Sequence, residues 1–255
     1  MQRSNTYIII FSIVLTVILG GLLSGASVGL KPLQEKQIEL DTKKKILGAV
    51  TDISSIKDAN EILALYERRV SSVVVDINGE EVTTDQKGNP VVAEKVNIQK
   101  NYRFKKEERL YPVFKFMNAD NPDQVDAYIF PMFGAGLWDW ISGYMALDKD
   151  LNTVRGIAFD HKSETPGLGA RITSEVITDR YVGKKIYNQS EELVSVKMVK
   201  GEGNSGLSEH QVDGMSGATM TGKGVNQMLQ QYLDCYQAYI NKVKSDNKVA
   251  LNSNQ

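Results

Sequence analysis

The chain of 255 residues is 42% hydrophobic and 24% charged, a balance that supports one or two folded domains and excludes intrinsic disorder. Thirty Lys plus Arg against 31 Asp plus Glu leave a net charge of −1, so no basic field draws the protein to nucleic acid. One cysteine, Cys235, and two histidines, His161 and His210, provide neither a disulfide framework nor a thiolate or histidine metal cage.

The chain opens on an apolar segment. Tyr7 to Leu30 contains no Asp, Glu, Lys, Arg or His. As a helix rising about 1.5 Å per residue it reaches roughly 36 Å, enough to cross the hydrocarbon core of a bilayer. A cleaved signal peptide, cut among the small residues Ser24 to Ala26, is the alternative. The dense run Ile8 to Leu23 is longer than the ~7 to 15 apolar residues of such a peptide, so residues 1–30 read as a retained single-span anchor. Its flanks carry Arg3 on one side and Lys31, Lys36, Lys43, Lys44 and Lys45 on the other. Counting lysines alone puts the large domain in the cytoplasm, but the rule weakens for long translocated domains, and Glu35, Glu39 and Asp41 interleave with these lysines.

Residues 31–70 read as a helical connector of two short helices, Leu33–Leu47 and Ile56–Val70, the second with Ile56, Ala59, Ile62, Leu63, Tyr66 and Val70 at helical spacing. Residues 71–245 read as the main domain, of α+β class: an antiparallel sheet with packed helices behind a single transmembrane helix. A β-branched strand, Val70 to Ile77, enters a turn at Asn78-Gly79. Residues 79–109 are charged and weakly patterned and read as loop. Strands follow at Tyr111–Met117, Val125–Met132, Gly143–Leu147, Val154–Asp160 and Val194–Val199. From Met220 to Lys244, Val225, Met228, Leu229, Tyr232, Leu233, Tyr236, Tyr239, Ile240 and Val243 fall on one helical stripe that must pack on the sheet. Residues 246–255 are polar and read as a flexible tail.

The chemistry concentrates just before that helix, in Asp213-Gly-Met-Ser-Gly-Ala-Thr-Met-Thr221. Ser216, Thr219 and Thr221 supply hydroxyls, Gly217 and Ala218 free the backbone for close approach, and Lys223 adds a cation at a helix start. Such a terminus favours an anion, phosphate above all. The plainer reading is a small-residue loop with a threonine N-cap. Gly217 to Gly224 almost spells a nucleotide-binding P-loop, but Gly224 stands where that loop needs a Mg²⁺-binding hydroxyl, and the preceding residues are polar rather than a buried strand.

Asp-Gly-x-Ser-Gly-Ala-Thr-x-Thr resembles the flavinylation motif of FMN-binding domains, in which the threonine of Ser-Gly-Ala-Thr carries FMN through a phosphoester. Gly136-Leu137-Trp138, Gly143-Tyr-Met-Ala-Leu147 and His161-Lys-Ser-Glu-Thr-Pro-Gly-Leu-Gly169 resemble, in order and spacing, the signatures of the family of C subunits of sodium-translocating NADH:quinone oxidoreductases. The resemblance covers nearly the whole chain and makes 71–245 the FMN-binding domain. It implies FMN on Thr219, with Asp213, Ser216, Gly217, Ala218, Thr221 and Lys223 around the attachment. Glu164 and Thr165 offer hydrogen bonds to the polar edge of the flavin. Leu137, Trp138 and Leu168 offer apolar surface, and Gly169 allows close approach. Thr165-Pro-Gly-Leu168 fits a type II turn. His161 reads as loop support, and no metal site is expected.

The same resemblance implies a bacterial inner-membrane protein with its soluble domain on the periplasmic side. It would relay electrons within a heteromeric pump whose other subunits complete NADH-to-quinone transfer, so this chain is not catalytic alone. No base is legible beside Thr219, so a dedicated flavin transferase is expected. The competing readings are the G subunit of an Rnf-type electron-transport complex and a flavin-free anchored assembly protein.

Overall fold

The computed structural model describes residues 4–85 and 88–253; Arg3 and the last two residues of the expected tail lie outside them. Helix α1, Asn5–Gly48, is continuous. The helix expected at Leu33–Leu47 is its C-terminal part: Pro32 removes one backbone donor, but good helix formers follow it and no glycine intervenes before Gly48. The chain divides after Thr42. Up to that point α1 carries exposed apolar side chains from Tyr7 to Leu33 and is, among the described residues, the one helix long and apolar enough to cross a membrane.

From Lys43 onward the chain is one compact α+β unit. Helix α2, Ala59–Arg69, is capped by Asp58, whose carboxylate accepts from Asn60 N, and runs directly into strand β1, Val70–Val75. The Asn78-Gly79 turn is present, with Gly79 at φ +78° and its amide donating to Asp76 O at 3.1 Å. Residues 79–109, expected as loop, contain a helical turn, α3 (Ile98–Asn101), between 3-10 turns. Strands β2 (Tyr111–Met117), β3 (Val125–Ala135), β4 (Trp140–Asp148) and β5 (Val154–His161) complete an antiparallel sheet in the order β1-β2-β3-β4-β5. A short helix, α4 (Glu175–Thr178), follows.

The strand expected over Val194–Val199 contracts to β6, Lys197–Met198, because Ser195 turns out of extended backbone at φ +60°. It pairs in parallel with β7, Gln211–Val212, a polar segment with no strand signature of its own. Helix α5 runs Thr219–Ser253, past residue 245 where the polar tail was expected to begin.

Both sheet faces are covered. Tyr128, Phe130 and Met132 alternate with Ala127 and Ile129 along β3, so the first set meets the buried stripe of α5 and the second faces away. The hydroxyl of Tyr236 on α5 lies between Pro112 O and Pro131 O at 2.9 and 3.1 Å, fixing the helix on β2 and β3. Burial of Ile46, Leu47, Ala49, Val50, Ile62 and Tyr66 brings much of the expected connector into the folded unit. Arg155 donates to Val50 O at 3.2 Å, and Ala49 O sits against Gly156, where a Cβ would collide with it.

Candidate functional site

Three loops meet at one end of the sheet: the β3–β4 hairpin loop at 136–139, the segment 161–169 after β5, and the loop 213–218 leading into α5. Glu164 joins them. It is 4% exposed, its Oε1 accepts from Leu137 N at 2.8 Å and Trp138 N at 3.0 Å, and its Oε2 accepts the hydroxyl of Thr221 at 2.6 Å. Both carboxylate oxygens are therefore occupied within the protein. Glu164 thus clamps the three loops from within, with Thr221, 1% exposed, as its partner, and both residues also line the cleft described below.

The neighbouring glycines follow from that clamp. A Cβ on Gly136 would collide with Glu164 Oε1, and one on Gly169 with Glu164 Oε2 and Thr221 Oγ1. The turn at Thr165–Leu168 closes as expected, with Leu168 N donating to Thr165 O at 3.1 Å and Gly167 at φ +75°. The Glu164 amide donates to His161 Nδ1 at 3.4 Å. Trp138 Nε1 donates to Thr165 Oγ1 at 3.1 Å, holding the exposed indole over the turn.

The loops enclose a cleft of about 190 Å³ lined by Leu137, Glu164, Thr165, Leu168, Gly169 and residues 217–221. Four large apolar side chains stand exposed around it: Trp138 at 68%, Met220 at 54%, Leu137 at 47% and Leu168 at 40%. Exposed apolar side chains gathered around a cleft are the kind of surface that a ligand-binding groove presents. A second cleft of about 300 Å³ is lined by Met198, Val199, Lys200, Met215, Ala218, Thr219, Gly222, Lys223 and Asn226. Ala218 and Thr219 line both. Gly222 N makes a helical bond to Ala218 O at 3.0 Å, and the amides of Thr219, Met220 and Thr221 ahead of it have no backbone acceptor among the described residues.

Asp213 and Ser216 line neither cleft. Asp213 faces a glycine-rich loop, accepting from Gly203 N at 2.8 Å and from Asn204 N and Nδ2 at 3.0 and 2.8 Å. Burial pushes its carboxyl up, but these bonds and nearby Arg180 outweigh burial and hold it down at about 2. Sequence reasoning missed Met220, Lys200, and the group Arg171, Arg180 and Glu202. Glycines at 201, 203 and 206 were the available signal of a built loop there.

Comparison with known proteins agrees with this geometry. The family model described as FMN-binding domain matches residues 136–234. The C subunit of the Na(+)-translocating NADH-quinone reductase of Pseudomonas aeruginosa is 30% identical over 253 residues, covering 94% of this chain and 96% of that one. Its counterpart in Neisseria meningitidis serogroup B is 31% identical over 253 residues, covering 95% of each. This chain belongs to the family of C subunits of Na(+)-translocating NADH-quinone reductases.

The crystal structure of the C subunit from Parabacteroides distasonis superposes with a TM-score of 0.68 at 34% identity, covering 83% of this chain and 96% of that one. That of Shewanella oneidensis NqrC gives 0.67 at 24% identity over 82% and 99%, a likeness of fold. The segments that build the site of this C subunit, from Gly136 to Thr221, all fall inside the FMN-binding match.

Proposed function

We propose that this chain is a membrane-anchored electron carrier of a sodium-translocating NADH–quinone reductase, holding FMN by a phosphoester to Thr219. One observation carries the reading: Thr219 is the hydroxyl shared by an apolar cleft and a lysine-bearing cleft at the start of a long helix. The residues fit the group. Leu137, Trp138, Leu168 and Met220 offer uncovered surface of the kind a flat aromatic ring occupies, and first-turn amides with Lys200 and Lys223 favour its phosphate. The cleft, about 190 Å³, is smaller than the ~300 Å³ of an enclosing ligand pocket, so its walls would hold a flavin only in part. Bound FMN supplies one- and two-electron redox chemistry, while the chain positions it and sets its surroundings.

In attachment, Thr219 Oγ forms a bond to the FMN phosphorus, the phosphoanhydride bond of a flavin dinucleotide breaks, and the nucleoside monophosphate departs with the hydroxyl proton; no electrons are exchanged. No side chain acting as a base contacts Thr219 among the described residues, which supports a separate transferase. Helix α1 supports a single-pass anchor in a bacterial inner membrane. We place the domain on the periplasmic side, among the other subunits of the pump.

Intact mass of the full chain produced with a flavin transferase tests the attachment. The expected result is one FMN less water on the wild type and none on Thr219→Ala. An adduct that survives on Thr219→Ala overturns the assignment.

A further inference from the structure

The loop that presents Thr219 is braced on a second side, away from Glu164. Glu202 accepts a bidentate pair from Arg171 at 2.9 and 2.7 Å, a third bond from Arg180 Nη2 at 3.0 Å, and the backbone amide of Ser216 at 3.2 Å. Arg180 Nη1 donates in turn to Asp213 O at 3.1 Å and Gly214 O at 2.6 Å. The bracing is reciprocal, since Asp213, in the Thr219 loop, accepts from the loop that carries Glu202. Gly214 packs so closely that a Cβ there would collide with Val199 O and Gly201 O, leaving these loops one relative position.

Arg171 gives the brace its bearing on the site. It belongs to the 3-10 turn Gly169–Thr173, which begins at the glycine lining the apolar cleft. The bidentate pair therefore ties the wall of the cleft to the loop three residues ahead of Thr219. Charge-assisted, bidentate bonds are the ones with enough strength and angular definition to do this at a partly exposed site.

We propose that Glu202, with Arg171 and Arg180, is the positioning residue for flavin attachment, holding residues 216–219 in the one backbone arrangement that offers the Thr219 hydroxyl to an incoming flavin dinucleotide. The inference rests on the reading of Thr219 as the attachment point. Without the brace, the loop samples other arrangements, and the acceptor geometry is populated only part of the time. Attachment then slows in proportion, while the sheet and α5, which hold the fold, are unaffected.

The test uses the full chain, as wild type, Glu202→Gln and Arg171→Ala, produced with and without a flavin transferase. Three quantities are read: the rate at which the FMN mass appears, hydrogen exchange at the 214–219 amides of the flavin-free protein, and the melting temperature. Glu202→Gln is expected to attach flavin on the order of tenfold more slowly, with faster exchange at Ser216 and a melting temperature within about 3 °C of wild type. Should Glu202→Gln melt well below that, Arg171→Ala, which removes only the bidentate arm, decides by the same criteria. Wild-type attachment rates in both variants overturn the proposal. If the wild type gains no flavin at all, the Thr219 reading fails instead. Exchange then judges the brace: unchanged protection of Ser216 in Glu202→Gln overturns it, and lost protection upholds it.

Discussion

The hydroxyl of Thr221 and the carboxylate of Glu164 meet at 2.6 Å across 57 residues of chain, both buried, and this contact joins the segment after β5 to the first turn of α5. Glu164 also holds the amides of Leu137 and Trp138, so one side chain sets the mutual position of three loops. Thr221→Val leaves a buried carboxylate oxygen short of a donor and is expected to cost about 1–3 kcal/mol. Glu164→Leu, which strands two amides and a hydroxyl, should cost more. Glu164→Gln should cost less than either, since its oxygen still meets the amides and its NH₂ can donate to Thr221 Oγ1. Denaturant unfolding of the three variants checks the order; a Gln variant as damaged as the Leu variant would show that charge, rather than connectivity, holds the loops.

Two glycines in the segment after β5 separate collision from backbone strain. Gly169→Ala drives a methyl onto Glu164 and Thr221, neither of which can retreat without breaking the clamp, and is expected to lose about 2–3 kcal/mol. Gly167 sits at φ +75° with nothing within 4 Å of an added methyl, so Gly167→Ala should lose only about 1 kcal/mol of left-handed strain. The pair is compared by urea midpoint at equal slope.

Trp138 lies at the rim of the cleft, its indole bonded to Thr165. If the ring of FMN lies against this surface, Trp138→Ala and Thr165→Ala should keep the covalent flavin yet shift its absorption fine structure and its midpoint potential by tens of millivolts. A lost hydrogen bond of about 1 kcal/mol is enough for that. The exposure of Trp138 keeps the stability change small. Wild-type spectra and potential in both variants would put the ring elsewhere.

Asp213 gives the loop a pH dependence of known sign. Its carboxyl is held at about 2, below the ordinary 3.8, so ionised Asp213 contributes stability above the unfolded-state value that is lost as pH falls from about 4 through 2. Arg171 and Arg180, followed by the Ser216 amide, depress Glu202 in the same direction, and its contribution likewise fades in acid. Asp213→Asn is therefore expected to melt lower than wild type at neutral pH, with the gap narrowing toward pH 2. A gap that stays constant down to pH 2 counts against the assignment.

Orientation separates charge from lineage. A C-terminal reporter active only outside the cytoplasm should be active on the full chain, against the count of Lys31, Lys36, Lys43, Lys44 and Lys45. A silent reporter with an active cytoplasmic counterpart would reverse the placement.

Features with a local period were legible in the chain itself. The uncharged run from Tyr7 to Leu30, the β-branched and aromatic strands β2 to β5, the stripe from Val225 to Val243 and the small-residue cluster before Thr219 each declare themselves within a few residues, because backbone hydrogen bonding imposes those periods. Even there, the extent of α1 and α5 exceeded what composition suggested, since a polar stretch such as 246–253 continues a helix when nothing stops it. Tertiary structure alone decided what the polar residues do. Glu164 and Thr221 met as a clamp between loops, Asp213 turned to the loop at 203–204, and Glu202 met Arg171 and Arg180. The polar segment Gln211–Val212 became a strand because Lys197–Met198 lay beside it. The physical reason is common to all of these: a carboxylate or an amide has a strong demand for partners but no preference for where along the chain they come from, so only the folded path determines which partner it finds.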